Sequence, residues 1–159
     1  MKPEEHLGEL LREKQLKLAI AESCTGGLIA SRVTDVAGSS DYFDAGVVVY
    51  SNQAKQKFLS VPAASIEAQG AVSREVAEKM AEGVRAATGA DIGLSVTGIA
   101  GPAGGSPEKP VGTVYIGLAS KAGTFFRKFT FSGARLEIKQ QTSTEALQFA
   151  IDLVEGRIA

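Results

Sequence analysis

The sequence is scarce in the residues that most catalytic centres rely on. It has one cysteine, Cys24, one histidine, His6, and no tryptophan. A single cysteine excludes an intramolecular disulfide and fits a reducing compartment. One histidine and one cysteine, with acids that do not cluster at ligand spacing, predict no metal site and no metal cofactor. The same scarcity removes Ser-His-Asp and Cys-His nucleophiles, because His6 lies in a charged N-terminal stretch and reads as a surface residue. No apolar run is long enough to span a membrane. The stretch from Met1 to His6 has no apolar signal core, so the expected location is cytoplasmic. Neither sign of charge is in excess: 17 basic and 18 acidic residues leave a net charge of −1. Nothing here marks a nucleic-acid or membrane partner. There is no GxxxxGK[ST] segment, and no GxGxxG follows the first strand, so the common phosphate-loop and dinucleotide folds are not indicated.

What is present is a globular composition. Of 159 residues, 44% are hydrophobic and 22% charged, which suits one domain around one core. Leu7, Leu10, Leu11 and Leu16 form a helical stripe ending near Lys14-Gln15. Residues 17–22 read as a first strand, followed by a helix from about Thr25 to Val36. Residues 45–50 are apolar and β-branched and predict a buried strand. Ser51-Asn52 would cap a short helix over 53–59, and Pro62-Ala63 begins another turn of helix. Ser73 is the expected cap of a helix reaching Thr88, with Val76, Met80, Gly83, Val84 and Ala87 on its core face. Residues 91–98 alternate as a strand. Segments 112–120 and 124–131 pair as a hairpin about Lys121-Ala122-Gly123. A last helix covers 135–155, with Ile138, Thr142, Ala146, Phe149, Ala150 and Leu153 facing inward. The expected fold is a three-layer α/β/α domain over residues 1–159, its mixed sheet having parallel early strands and a late antiparallel hairpin.

Three polar or glycine-rich turns follow strands: Ser23–Gly27, Tyr50–Asn52 and Gly98–Gly105. If the strands are parallel, all three lie on one edge of the sheet, where open α/β sheets bind ligands. The first of these, Ser23-Cys24-Thr25-Gly26-Gly27, aims backbone N–H groups and a helix N-terminus at one point. A plainer reading makes Ser23 or Thr25 the N-cap of the helix that follows. The loop from Ile99 to Pro110 is the longest in the chain.

With histidine and cysteine pairings gone, the remaining nucleophile is a hydroxyl activated by lysine. Lys55, one turn after Ser51 and just past the second long strand, would face the same mouth as Ser23. Tyr50 would relay a proton or orient the hydroxyl. Ser51 is a competing nucleophile, standing at i, i+4 from Lys55. In another arrangement the Thr25–Gly27 turn binds phosphate and the chemistry lies elsewhere.

Several stretches together resemble the CinA C-terminal family of nicotinamide-nucleotide amidohydrolases. They are Ala21 to Gly27 (AESCTGG), Tyr50-Ser51-Asn52 with Lys55, Gly70-Ala71-Val72-Ser73, Thr97-Gly98-Ile99-Ala100-Gly101-Pro102, the segment 104–113, and Phe131-Ser132-Gly133 with Arg135. The resemblance covers nearly the whole chain, with several motifs in order. It implies deamidation of nicotinamide mononucleotide to nicotinic acid mononucleotide and ammonia, without metal or other cofactor, in pyridine-nucleotide salvage. Carried onto this chain, it makes Ser23 the nucleophile and Tyr50 and Lys55 its activating partners. The expected oxyanion and substrate contacts are Thr25, Gly26, Gly27, Thr97, Gly98, Ala100, Gly101, Gly105 and Arg135, with Arg135 and the loops 97–101 and 104–112 as phosphate donors. The partner implied is a small-molecule nucleotide, and small enzymes of this kind commonly form symmetric dimers. Longer family members add an N-terminal molybdopterin-binding-like domain, and this chain is expected to be the stand-alone form. The other classes to weigh are a nucleotide-binding sensor without turnover and a plain structural or interaction domain.

Overall fold

The computed structural model describes residues 1–158. Its helices are α1 (Pro3–Lys14), α2 (Leu28–Thr34), α3 (Asn52–Leu59), α4 (Ala63–Gln69), α5 (Arg74–Thr88) and α6 (Arg135–Val154). Its strands are β1 (Leu18–Glu22), β2 (Phe43–Val48), β3 (Ile92–Gly98), β4 (Thr113–Ser120) and β5 (Gly123–Thr130). The sheet order is β2-β1-β3-β4-β5. β1 pairs in parallel with both β2 and β3, while β3–β4 and β4–β5 are antiparallel. The mixed α/β sheet with early parallel strands and a late hairpin is therefore the one expected.

Side-chain alternation divides the sheet into two unlike faces. Leu18, Ile20, Ile92, Leu94, Val96, Val114, Ile116 and Leu118 pack with residues of α1, α2 and α6. Each such buried side chain contributes about 1.5–3 kcal/mol relative to an exposed one. The opposite face is built from small residues, among them Ala19, Ala21, Gly93, Ser95 and Gly117, and α5 lies close against it. A Cβ at Gly93 or Gly117 would collide with the carbonyl of Ala81 or Ala77. Ser95 Oγ donates to that same Ala77 carbonyl at 2.5 Å. Val76, Met80 and Val84 of α5 complete this second core with Leu59 and Val61.

Several boundaries differ from expectation. The second helix begins at Leu28 rather than Thr25, because Gly26 and Gly27 both have positive φ (62° and 105°) and the chain is still turning there. It ends at Thr34, short of Val36. β2 starts at Phe43 and ends at Val48, and it alternates between half-buried and exposed instead of being buried. The reason is its place at the edge, paired only with β1. On α5, Ala77 and Ala81 are buried, whereas Ala87 in the last turn is exposed. On α6, Leu147, Ile151 and Val154 are buried while Leu153 is only half-buried.

Candidate active site

The parallel strands β1, β2 and β3 bring the three predicted turns to one sheet edge. A cavity of about 260 Å³ opens there, lined by Ser23, Cys24, Tyr50, Lys55, Thr97, Gly98, Ala100, Gly101 and Arg135 among others. A larger cleft of about 390 Å³ lies at the opposite edge, against Leu16, Ile92 and Leu153. Its one hydroxyl, on Ser120, accepts from the Ala122 N–H at 3.1 Å and is hydrogen-bonded to no base among the described residues, so size alone does not mark the chemistry.

Alternation along β1 sends consecutive residues to opposite faces. Glu22 turns toward α2, and Ser23 turns toward α3. Ser51 is the N-cap of α3, its Oγ accepting from the Ala54 N–H at 3.0 Å. That cap starts the helix where Lys55 falls one turn in, pointing back under the sheet edge. Lys55 is 2% exposed. Its Nζ lies 3.1 Å from Ser23 Oγ and donates to the Tyr50 carbonyl, also at 3.1 Å. No carboxylate lies within ion-pair distance of it among the described residues. Burial pushes its pKa below the ordinary 10.5, and the nearby Cys24 thiol acts weakly the other way. A lysine so placed can exist as a neutral amine beside a hydroxyl, which is the condition for general-base action.

Ser51, the competing nucleophile, is exposed and engaged as a cap, and it does not line the cavity. Cys24 does line it, but its thiol is pushed up to about 12, chiefly by burial. A thiol of that kind is a poor source of thiolate. The Tyr50 side chain is 61% exposed, and its hydroxyl accepts from Arg135 at 3.1 Å. It is the backbone of Tyr50, not the phenol, that reaches Lys55.

Glu22 is the residue that sequence reasoning missed. It is 1% exposed. Its carboxylate accepts from Thr25 Oγ1 (2.6 Å) and from the N–H groups of Gly27 (3.2 Å), Ile29 (3.0 Å) and Ala30 (2.9 Å). The start of α2 is thus capped by an acid five or more residues upstream, not by Ser23 or Thr25. A carboxylate among free amides at a helix N-terminus satisfies both the orphan donors and the dipole. The only signal in the sequence was a charged residue inside an apolar strand. The Gly26 N–H donates to the Ser23 carbonyl at 3.1 Å. Among the described residues, the amides of Cys24 and Thr25 donate to no other residue. Thr25, Gly26 and Gly27 therefore shape the turn and do not line the cavity.

The far wall comes from β3 and the long loop after it. Thr97 Oγ1 donates to the Ala71 carbonyl at 2.8 Å, which draws the α4–α5 connection over the site. Ala71 and Val72 line the cavity as a result, and Asn52 does so from the start of α3. Asn52 belongs to a turn expected at this edge, whereas Ala71 and Val72 belong only to a family motif and were not among the expected site residues. Ala100, Gly101 and Gly104 line the cavity, whereas Gly105 lies outside it against Val111. The loop is tied down at several points. Arg135 donates to the Gly101 carbonyl (2.6 Å), Lys109 to the Gln69 carbonyl (2.7 Å), and the Gly112 N–H to the Ile99 carbonyl (2.8 Å). Among the described residues no three His, Cys, Asp or Glu side chains group as metal ligands.

With this geometry in view, comparison with known proteins is specific. The family described as the CinA C-terminal domain matches residues 1–154. The CinA-like protein of Geobacter sulfurreducens is 54% identical over 143 residues, covering 90% of this chain and 35% of that protein. The chain spans about a third of the length of the curated relatives it matches. Among solved structures, competence/damage inducible protein CihA from Agrobacterium tumefaciens is 39% identical with a TM-score of 0.89, covering 96% of both chains. A competence-damaged protein (CinA) superfamily protein from Escherichia coli is 34% identical with a TM-score of 0.90, covering 96% of this chain and 90% of that one.

Proposed function

This chain belongs to the CinA C-terminal domain family, and from that premise we propose that it hydrolyses the carboxamide of nicotinamide mononucleotide, giving nicotinic acid mononucleotide and ammonia. One observation carries the reading: the buried amine of Lys55 stands 3.1 Å from the hydroxyl of Ser23 at the wall of a cavity.

Neutral Lys55 takes the Ser23 proton as Oγ attacks the amide carbon. The electron pair of the C=O moves to oxygen, and the amide of Cys24, a cavity-lining residue whose N–H donates to no other residue among those described, is available to receive it. Collapse of the tetrahedral intermediate breaks the C–N bond. The Lys55 ammonium returns its proton to nitrogen, and ammonia leaves. Water then attacks the Ser23 ester, giving its proton to Lys55, and the proton returns to Ser23 Oγ as the acid is released. The pyridinium ring of the substrate withdraws electrons and makes the amide carbon easier to attack. Arg135, joined to both Tyr50 and Gly101, holds the mouth in shape.

The deciding measurement is ammonia release from nicotinamide mononucleotide by the wild type and by Ser23→Ala. Turnover in the wild type alone supports the assignment. Equal turnover in both moves the nucleophile elsewhere. Nucleotide binding without turnover in the wild type makes the domain a sensor.

A further inference from the structure

Two separate stretches of backbone face each other across the cavity. The loop after β3 contributes Gly101 and Gly104, and the α4–α5 connection contributes Ala71 and Val72. Two side chains join these stretches. Thr97, near the end of β3, holds the Ala71 carbonyl. Lys109 reaches from the far part of the loop to the Gln69 carbonyl at 2.7 Å.

Lys109 is aimed by its own turn. The Ser106 N–H donates to the Lys109 carbonyl at 2.9 Å, and the Lys109 N–H donates to Ser106 Oγ at 3.0 Å. Gln69 is the last residue of α4, where carbonyls have no intrahelical partner and a lysine can fill the place. Gly70 follows with φ 81°, and a Cβ there would stand 3.2 Å from Lys109 Nζ. The pull of this bond reaches the cavity through Val111. The Val111 side chain lies where a Cβ on Gly101 would collide with it, and its backbone nitrogen lies close behind Gly105. Gly101 is held from its other side by Arg135. Lys109 itself does not line the cavity.

We propose that Lys109 is a positioning residue for the reaction: it ties the loop to the end of α4 and so sets the gap between Gly101 and Ala71 that the substrate enters. This rests on the activity proposed above. Ser23 follows β1 and Lys55 lies on α3, so neither catalytic side chain depends on the tie. Lys109 therefore acts on how substrate is received and leaves the bond-breaking step alone.

The test compares wild type, Lys109→Met and Lys109→Arg by amide hydrogen exchange and by ammonia release from nicotinamide mononucleotide. Thermal melting checks that each variant is folded. The amides read are those of Gly70, Ser106 and Lys109, each hydrogen-bonded in α4 or in the turn. Loss of one exposed hydrogen bond from an ammonium is expected to speed their exchange about three- to tenfold in Lys109→Met. The Gly112 amide, bonded to Ile99 at the base of the loop, should exchange as before. KM should rise by a similar factor with kcat nearly unchanged, and Lys109→Arg should restore both readings. Wild-type exchange at Gly70 and Ser106 in Lys109→Met overturns the tie. Faster exchange with unchanged KM overturns the positioning role, as does a loss confined to kcat. A wild type that releases no ammonia overturns the activity, and the exchange rates then decide the tie by themselves.

Discussion

A lysine buried beside a serine is an unstable choice that only function explains. Lys55 has no acid to offset its charge, and its pKa is lowered by desolvation. The unfolded chain keeps the ordinary value of 10.5, so between the two values unfolding takes up a proton and the native state is penalised. Lys55→Met is therefore expected to release no ammonia yet to melt at or above the wild-type temperature at neutral pH. The wild type should gain on the variant as pH rises toward 10.5. A variant that melts well below wild type at pH 7 would contradict the argument. Activity should fall toward acid pH as Lys55 takes up its proton, and pH–rate profiles read this directly. Cys24 gives the opposite expectation. With its thiol pushed up to about 12, it should resist iodoacetamide at neutral pH in the folded protein, and Cys24→Ala should keep most activity.

At the scale of elements, the connection from β1 to α2 carries the most information. The apolar strand, the turn and the helix were legible in order, and so was the convergence of three turns on one edge. The pairing of Lys55 with Ser23 could be guessed from a cap and one helical turn, both of which are local. The role of Glu22 was not legible, because a carboxylate that reaches amides up to eight residues ahead leaves no short-range pattern. For the same reason helix α2 was expected to begin at Thr25, inside what is a glycine turn. Glu22→Ala should leave the buried amide of Ile29 and the half-buried amides of Gly27 and Ala30 without this acceptor, a loss of about 1–3 kcal/mol seen in denaturant unfolding. It should also lower kcat, since the displaced turn carries Ser23. Unchanged unfolding and unchanged kcat together would show that α2 does not depend on this cap.

The whole molecule is arranged as two cores on either side of one sheet, and a polar knot joins the helices of the first. Arg32 of α2 bonds Glu4 of α1 at 2.6 Å and the hydroxyls of Ser143 and Thr144 of α6 at 2.7 and 2.8 Å. The Arg32 guanidinium holds the Glu4 carboxyl below its usual range. Asp152 is likewise lowered: burial opposes the shift, but hydrogen bonds from Gln148, Arg157 and Arg127 outweigh it. Lowered carboxyl values add stability that is fully present above the ordinary carboxylate range and is lost as pH falls through the folded values. Melting temperature should therefore drop on acidification through that window. In Glu4→Gln it should drop less, from a lower starting point. An equal acid slope in both proteins would rule Glu4 out as a contributor.

The capped start of α2 has one more consequence. A helix whose positive end is filled by the chain's own carboxylate behaves as if already bound to a ligand. The turn bearing Ser23 is then set when the protein folds, before any substrate arrives. The free and occupied forms should be nearly superimposable there, and amide exchange over 22–30 should be as slow without nucleotide as with it. Glu22 is, in that sense, a permanent tenant: it keeps the room furnished and leaves the guest to be greeted at the door.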